Sequence, residues 1–116
     1  MKKIVFMGTP LFAVPILKSI FSKGYNIPLV YTQPPSKSNR GHKVSKSPIH
    51  KFCEENNLKV RTPENFNNLT EEKSILEKLE ADIAIVVAYG QILPKGILHI
   101  CKKGFINIHA SLLPKL

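Results

Sequence analysis

The sequence has very little cysteine, two long stretches without a single acidic residue, no extended hydrophobic run and none of the glycine-rich signatures of the common nucleotide folds. Each shortage excludes something. The only cysteines are Cys53 and Cys101, and in the absence of an export signal they read as reduced thiols on helices rather than a disulfide. Met1-Lys2-Lys3 followed by Ile4 to Met7 begins like a signal peptide, but Gly8-Thr9-Pro10 cuts the apolar part short. No apolar run approaches the ~20 residues that a membrane span requires, so a cytoplasmic location without a membrane partner is expected. The turn after the first apolar segment lacks Gly-x-Gly-x-x-Gly, which disfavours a dinucleotide cofactor, and there is no Gly-Lys-Ser/Thr phosphate loop. His42, His50, His99, His109 and the two cysteines have no metal-ligand spacing, and no metal is expected.

What is present is unevenly distributed. At 116 residues the chain forms one domain at most, with enough length for a core. Residues 1–53 hold nine Lys or Arg and no acid; all eight acids lie between Glu54 and Asp82; from Ile83 onward there are four lysines and again no acid. Such polarity suits an anionic partner, nucleic acid first, although a plain bias toward lysine would look the same.

Short apolar runs alternate with helical patterns. Lys3–Met7, Ile27–Thr32, Leu58–Thr62, Ile83–Ala88 and a segment from Phe105 read as strands. Helices are expected from Val14, with Pro15 in the first turn and Gly24 at the end, from Ser47-Pro48, from a Thr70 cap, and briefly after Pro94. Strands alternating with helices give an α/β fold, a doubly wound, Rossmann-like parallel sheet in the order 3-2-1-4-5. Gln33–Lys46 breaks the pattern: prolines, serines, Lys37, Arg40, Lys43 and Lys46, with Val44 alone apolar, describe a long surface loop of the functional kind.

The chemistry concentrates in the last strand. Along it Phe105, Asn107 and His109 face one way, and Ile106, Ile108 and Ala110 the other. An amide and an imidazole on one face of a buried strand have no structural purpose without partners, since an unpaired buried polar group costs about 1–3 kcal/mol. At the carboxyl end of a parallel strand they suit acyl transfer: the amide donates to a developing oxyanion, and the imidazole moves a proton between amine and leaving group. A carboxylate to tune the imidazole is missing nearby, because Asp82 precedes the fourth strand, roughly 20 Å away at about 3.3 Å per residue.

Six segments carry a resemblance: Ile4 to Pro15 (IVFMGTPLFAVP), Tyr31 to Pro34 (YTQP), Arg40-Gly41-x-Lys43, Ser47-Pro48, Val86 to Pro94 (VVAYGQILP) and Phe105 to Pro114 (FINIHASLLP). In order and spacing they resemble the amino-terminal part of the methionyl-tRNA formyltransferase family, along essentially the whole chain. The resemblance implies formyl transfer from 10-formyltetrahydrofolate to the amino group of methionine on initiator tRNA. By it Asn107 and His109 are the catalytic pair; Ser111, Leu112, Leu113 and Pro114 form the folate-binding segment; Tyr89, Gly90, Ile92 and Leu93 wall the pterin; and Arg40 and Lys43 lie in a tRNA-contacting loop. It also implies a monomeric parent enzyme whose catalytic aspartate and carboxyl-terminal tRNA-binding domain lie beyond residues 1–116, so that this piece alone is expected to be inactive. Two other readings stay open: an RNA-binding Rossmann-like module without chemistry, and a formyltransferase for a small amine.

Overall fold

The computed structural model describes residues 2–37 and 43–109. Its centre is β1 (Lys3–Gly8), buried from Ile4 onward, which pairs in parallel with β2 (Asn26–Tyr31) on one side and β6 (Ile83–Val87) on the other. Uninterrupted apolar sequence is what such a strand needs, because helices cover both of its faces. β5 (Val60–Arg61) extends the sheet beyond β2, and β7 (Phe105–Asn107) extends it beyond β6. The five strands, taken in chain order, therefore run 3-2-1-4-5, all parallel. The detail that sequence did not foresee is a second, two-stranded sheet, β3 (Ser36–Lys37) against β4 (Val44–Ser45), inside the stretch read as a loop.

Alternation along β1 divides the core in two. Val5 and Met7 pack with Leu29, Tyr31, Ala84 and Val86 beneath α3 (Leu69–Leu79) and α4 (Lys95–Leu98). Phe6 packs on the other face with Val30, Val87, Leu17, Ile49 and Cys53, the last three supplied by α1 (Val14–Ser22) and α2 (Pro48–Glu55). α1 begins with proline at its start and gives way to Gly24 at φ 84°. α2 is capped as its sequence demands, with Ser47 Oγ accepting from His50 N at 3.0 Å. The Thr70 cap is a correction: α3 starts two residues earlier, with Asn68 at the cap, and Asn68 Nδ2 donates to Glu71 Oε1 at 3.2 Å instead of closing the backbone.

Two ends of the sheet differ in construction. At the amino end, Asp82 Oδ2 accepts from Lys3 N at 2.8 Å, and Asp82 N donates to Lys3 O at 2.9 Å, which ties β1 to the start of β6. The carboxyl end holds the turns after β1, β2 and β6, and it is there that the strand order reverses, β1 leading outward to β2 and β5, and β6 to β7. Ligands of such sheets sit beyond the strand carboxyl ends at this reversal.

Candidate active site

β7 is an edge strand with Ile106 48% exposed, so it is less buried than its apolar sequence suggests. Its pairing nonetheless fixes the site: Val86 lies opposite Asn107, and Ile108 N donates to Val86 O at 2.8 Å, carrying the ladder one step past the strand. Ile108 packs into the core on the α1/α2 side, and Phe105 packs on the opposite side, as alternation requires. Asn107 and His109 are thereby left exposed at the rim, His109 two residues past the last strand position rather than inside the strand.

Both open into one cleft of about 460 Å³, lined also by Phe12, Val86, Ala88, Tyr89, Gly90, Gln91, Ile92 and Ile108. Its far wall is the turn after β6, which is bent by two left-handed residues, Ala88 at φ 51° and Gly90 at φ 98°. Glycine tolerates that conformation, whereas a residue with a Cβ is strained in it by roughly 1–2 kcal/mol. Gly8, at the end of β1, is needed for a different reason: a Cβ there would stand 2.9 Å from Val87 O, so only glycine lets β6 pass this closely.

The four residues expected to wall the pterin sit differently with respect to the cleft. Gly90 and Ile92 line the cleft, and Ile92 is 95% exposed. Tyr89 lines it through its main chain, because its ring is buried between Tyr31 and Phe66 at centroid distances of 6.5 and 6.2 Å. Burial, reinforced by Glu72, pushes the Tyr89 hydroxyl above the usual tyrosine range, and among the described residues its Oη has no hydrogen-bond partner. Leu93 packs against the core beneath the turn instead of facing the cleft. Lys43 lies just before β4 and is exposed. Arg40 and the segment Ser111, Leu112, Leu113 and Pro114 fall outside the described residues.

Sequence reasoning missed a polar belt that braces the turn. Thr9 Oγ1 donates to Tyr89 O at 2.7 Å, Gln33 Nε2 donates to Gly90 O at 2.9 Å, and Gln91 Nε2 donates both to Gln33 Oε1 at 2.9 Å and to Pro63 O at 2.8 Å. Gln33 N in turn donates to Thr9 Oγ1 at 3.2 Å. It also missed Glu72, which is 3% exposed, takes both oxygens to Arg61 (2.9 and 2.8 Å) and accepts from Tyr31 Oη at 2.7 Å. Burial alone would raise the Glu72 pKa, but the hydrogen bonds from Arg61 and Tyr31 and the guanidinium charge hold it below the usual carboxylate range. This cluster lies under α3 and contributes no lining to the cleft.

Among the described residues no group of three His, Cys, Asp or Glu side chains could hold a metal ion, and no Asp or Glu lines the cleft. Nor is any described helix long and apolar enough to cross a membrane. What the cleft offers is an amide, an imidazole and a wall of main-chain polar groups. The sequence matches the formyl transferase family over residues 1–116.

The chain belongs to the formyltransferase family. It is 62% identical to the methionyl-tRNA formyltransferase of Pelagibacter ubique over 98% of its own length. The proteins of that name from Paramagnetospirillum magneticum and Caldanaerobacter subterraneus are 47% and 48% identical over 97% of it. The chain spans about 37% of the length of each of these curated relatives. Within the formyltransferase fold, then, the described residues supply the sheet, the cleft and the paired Asn107 and His109.

Proposed function

We propose that the chain supplies the reaction centre of an enzyme that moves a formyl group from 10-formyltetrahydrofolate to the amino group of methionyl-initiator tRNA. The observation that carries the reading is the convergence of Asn107, His109 and the Tyr89–Ile92 turn on one cleft at the carboxyl rim of the sheet. A cleft of about 460 Å³ with an exposed apolar side chain and main-chain polar groups suits a flat heteroaromatic head such as a pterin. The family relationship and the names of the relatives support formyl transfer to methionyl-tRNA.

In this mechanism the amine nitrogen attacks the formyl carbon. As the new C–N bond forms, negative charge collects on the formyl oxygen, and the Asn107 amide donates a hydrogen bond to it. His109 takes the proton that the amine sheds and delivers it to the folate nitrogen as the old C–N bond breaks. A carboxylate orienting the imidazole would come from outside the described residues, since none lines the cleft. For that reason the 116-residue chain alone is expected to sustain little or no turnover. Ser111 to Pro114 complete the folate contacts in this reading, Arg40 and Lys43 meet the acceptor stem, and the enzyme acts as a cytoplasmic monomer.

The test is a titration with 5-formyltetrahydrofolate, a stable isomer of the donor, followed by amide chemical shifts. Changes clustered at Gly90, Gln91, Asn107, His109 and Ser111 to Leu113 support the reading. Salt-dependent RNA affinity without any folate response would instead mark a binding module. Arg40→Ala separates the acceptors: it weakens binding of tRNA and leaves a small amine unaffected.

A further inference from the structure

We propose that Thr9 is a positioning residue for the formyl donor. Its hydroxyl, together with the Gln33 carboxamide, draws the carbonyls of Tyr89 and Gly90 away from the catalytic cleft and so presents the N–H groups of Gly90 and Gln91 to acceptor atoms of the bound pterin. The inference rests on the reading above, in which this turn receives the folate head.

The turn is gripped from behind. Thr9 Oγ1 donates to Tyr89 O at 2.7 Å, and Gln33 Nε2 donates to Gly90 O at 2.9 Å. Gly90 and Gln91 line the cleft, whereas Thr9 and Gln33 do not, so two successive carbonyls point out of it. Among the described residues every peptide bond is trans, and in a planar trans peptide the N–H points opposite to the C=O. Drawing back the Tyr89 carbonyl therefore brings Gly90 N–H forward, and drawing back the Gly90 carbonyl does the same for Gln91 N–H. Neither of these N–H groups donates to a described main-chain carbonyl. The backbone agrees: φ is positive at Ala88 and Gly90 but not at Tyr89 between them. Such alternation of hand gathers successive N–H groups into a concave cradle for an electron-rich atom.

Thr9 leads this arrangement because its one hydroxyl is fully committed. Oγ1 accepts from Gln33 N at 3.2 Å and from Thr32 Oγ1 at 3.4 Å, which uses both lone pairs and leaves its single proton for Tyr89 O. The bond from Gln33 N also fixes the backbone from which the Gln33 side chain reaches Gly90. Released from these restraints, a turn with Ala88 at φ 51° has no reason of its own to keep both carbonyls on one side. The ligand chemistry follows: two adjacent main-chain donors suit the edge of a flat heteroaromatic ring that carries an oxo group and ring nitrogens.

The experiment compares the enzyme that carries this chain in its native form with Thr9→Val, which keeps the shape and removes the hydroxyl, and Thr9→Ser, which keeps the hydroxyl. In steady-state kinetics with 10-formyltetrahydrofolate and methionyl-tRNA, Thr9→Val should raise KM for the donor about tenfold and leave kcat within about twofold, the pattern of lost hydrogen bonds that ground and transition states share. Thr9→Ser should bring KM back to within about twofold of native. In the amide spectrum, 5-formyltetrahydrofolate should move the Gly90 and Gln91 protons downfield in the native enzyme and far less in Thr9→Val. If the melting temperature shows that Thr9→Val is unfolded, Gln33→Met releases Gly90 O but not Tyr89 O, and should cost the downfield movement at Gln91 while keeping that at Gly90. A native KM in folded Thr9→Val, a fall of kcat and melting temperature in step with the rise in KM, or bound folate that moves neither amide downfield overturns the inference. Failure of the native enzyme to bind folate at all overturns the proposed function instead.

Discussion

The two rims of this sheet are made from the same strands and have opposite character. At the amino rim, polar groups are closed off by backbone and by one carboxylate: Lys3 N and O both pair with Asp82, and Lys103 N donates to Asp82 O at 2.7 Å. At the carboxyl rim the turns are held by side chains, Thr9, Gln33 and Gln91, and two of the turn residues adopt left-handed φ. A rim closed by backbone has little left to offer a ligand. A rim braced by side chains leaves Asn107 and His109 exposed beside a cleft, at a cost in local strain. If the chemistry proposed above is right, it belongs to the cleft at the carboxyl rim alone. Substitutions in the cleft, in the Glu72 cluster at the carboxyl ends of β2 and β5, and at the amino rim should then separate rate from stability.

The largest effect should come from the carboxyl rim. If Asn107 donates to the formyl oxygen as charge develops, Asn107→Ala in the enzyme that carries this chain lowers the chemical step by about a hundredfold or more, equivalent to roughly 3–4 kcal/mol. The melting temperature should stay within a degree or two, because the Asn107 side chain is exposed. Single-turnover kinetics check the first part and thermal denaturation the second. An unaltered rate removes Asn107 from the chemistry.

Glu72 gives the reverse signature. Glu72→Gln leaves Arg61 without its bidentate partner and is expected to cost about 2–3 kcal/mol, less than a fully buried pair because the Arg61 side chain remains one-third open to water. Folate affinity should be little changed. The pH dependence follows from the depressed pKa: the contribution of Glu72 is present above the ordinary carboxylate range and is lost as pH falls through its lower folded value. Urea denaturation between neutral and acidic pH should find native and variant proteins converging in acid.

Ala88→Gly sharpens the comparison, since it should move stability and binding in opposite directions. Relief of the φ 51° conformation favours the folded state by up to about 1 kcal/mol, offset in part by the greater freedom of glycine in the unfolded chain. The turn would then be less rigid in the cleft wall, so folate should bind more weakly even as the melting temperature holds or rises. A variant that is both less stable and tighter-binding would mean that the left-handed residue is not where the strain lies.

How much of this was legible in the sequence depends on separation along the chain. The order of the five strands followed from apolar runs alternating with helical patterns, because burial on both faces leaves a signature in each strand alone. Asn107 and His109 stood out since polar groups interrupt an otherwise apolar strand. The Thr9–Gln33–Gln91 belt was invisible because its members are 24 and 58 positions apart and meet only through sheet register. Glu72 resembled an ordinary first-turn acid favoured by the helix dipole; nothing local marked Arg61, 11 residues earlier, or Tyr31, 41 earlier, as its partners. The resemblance puts Tyr89 in the cleft wall, but the left-handed Ala88 redirects the chain, and the ring goes to the core. The β3–β4 pair has two residues per strand and an exposed Val44, too little alternation to register.

The smallest effect belongs to the amino rim, and its direction is a stringent check on the contrast. Asp82 is held below the usual carboxylate range first by the hydrogen bond from Lys3 N, with burial opposing it slightly and Lys102, Lys2 and Lys103 adding charge. A depressed carboxylate stabilises the fold above its unfolded pKa and stops doing so as pH falls through the folded value. Asp82→Asn keeps an oxygen that can accept from Lys3 N, so the main-chain closure survives and only the ionic part is lost. The variant should therefore melt slightly lower than the native protein at neutral pH and low salt, with the gap narrowing in acid and in about 1 M salt, where charges are screened within about 3 Å. The exposure of Asp82 to solvent keeps the gap small. Should Asp82→Asn instead unfold the chain or change folate binding, the amino rim would be more than a backbone closure, and the contrast between the two rims would fail.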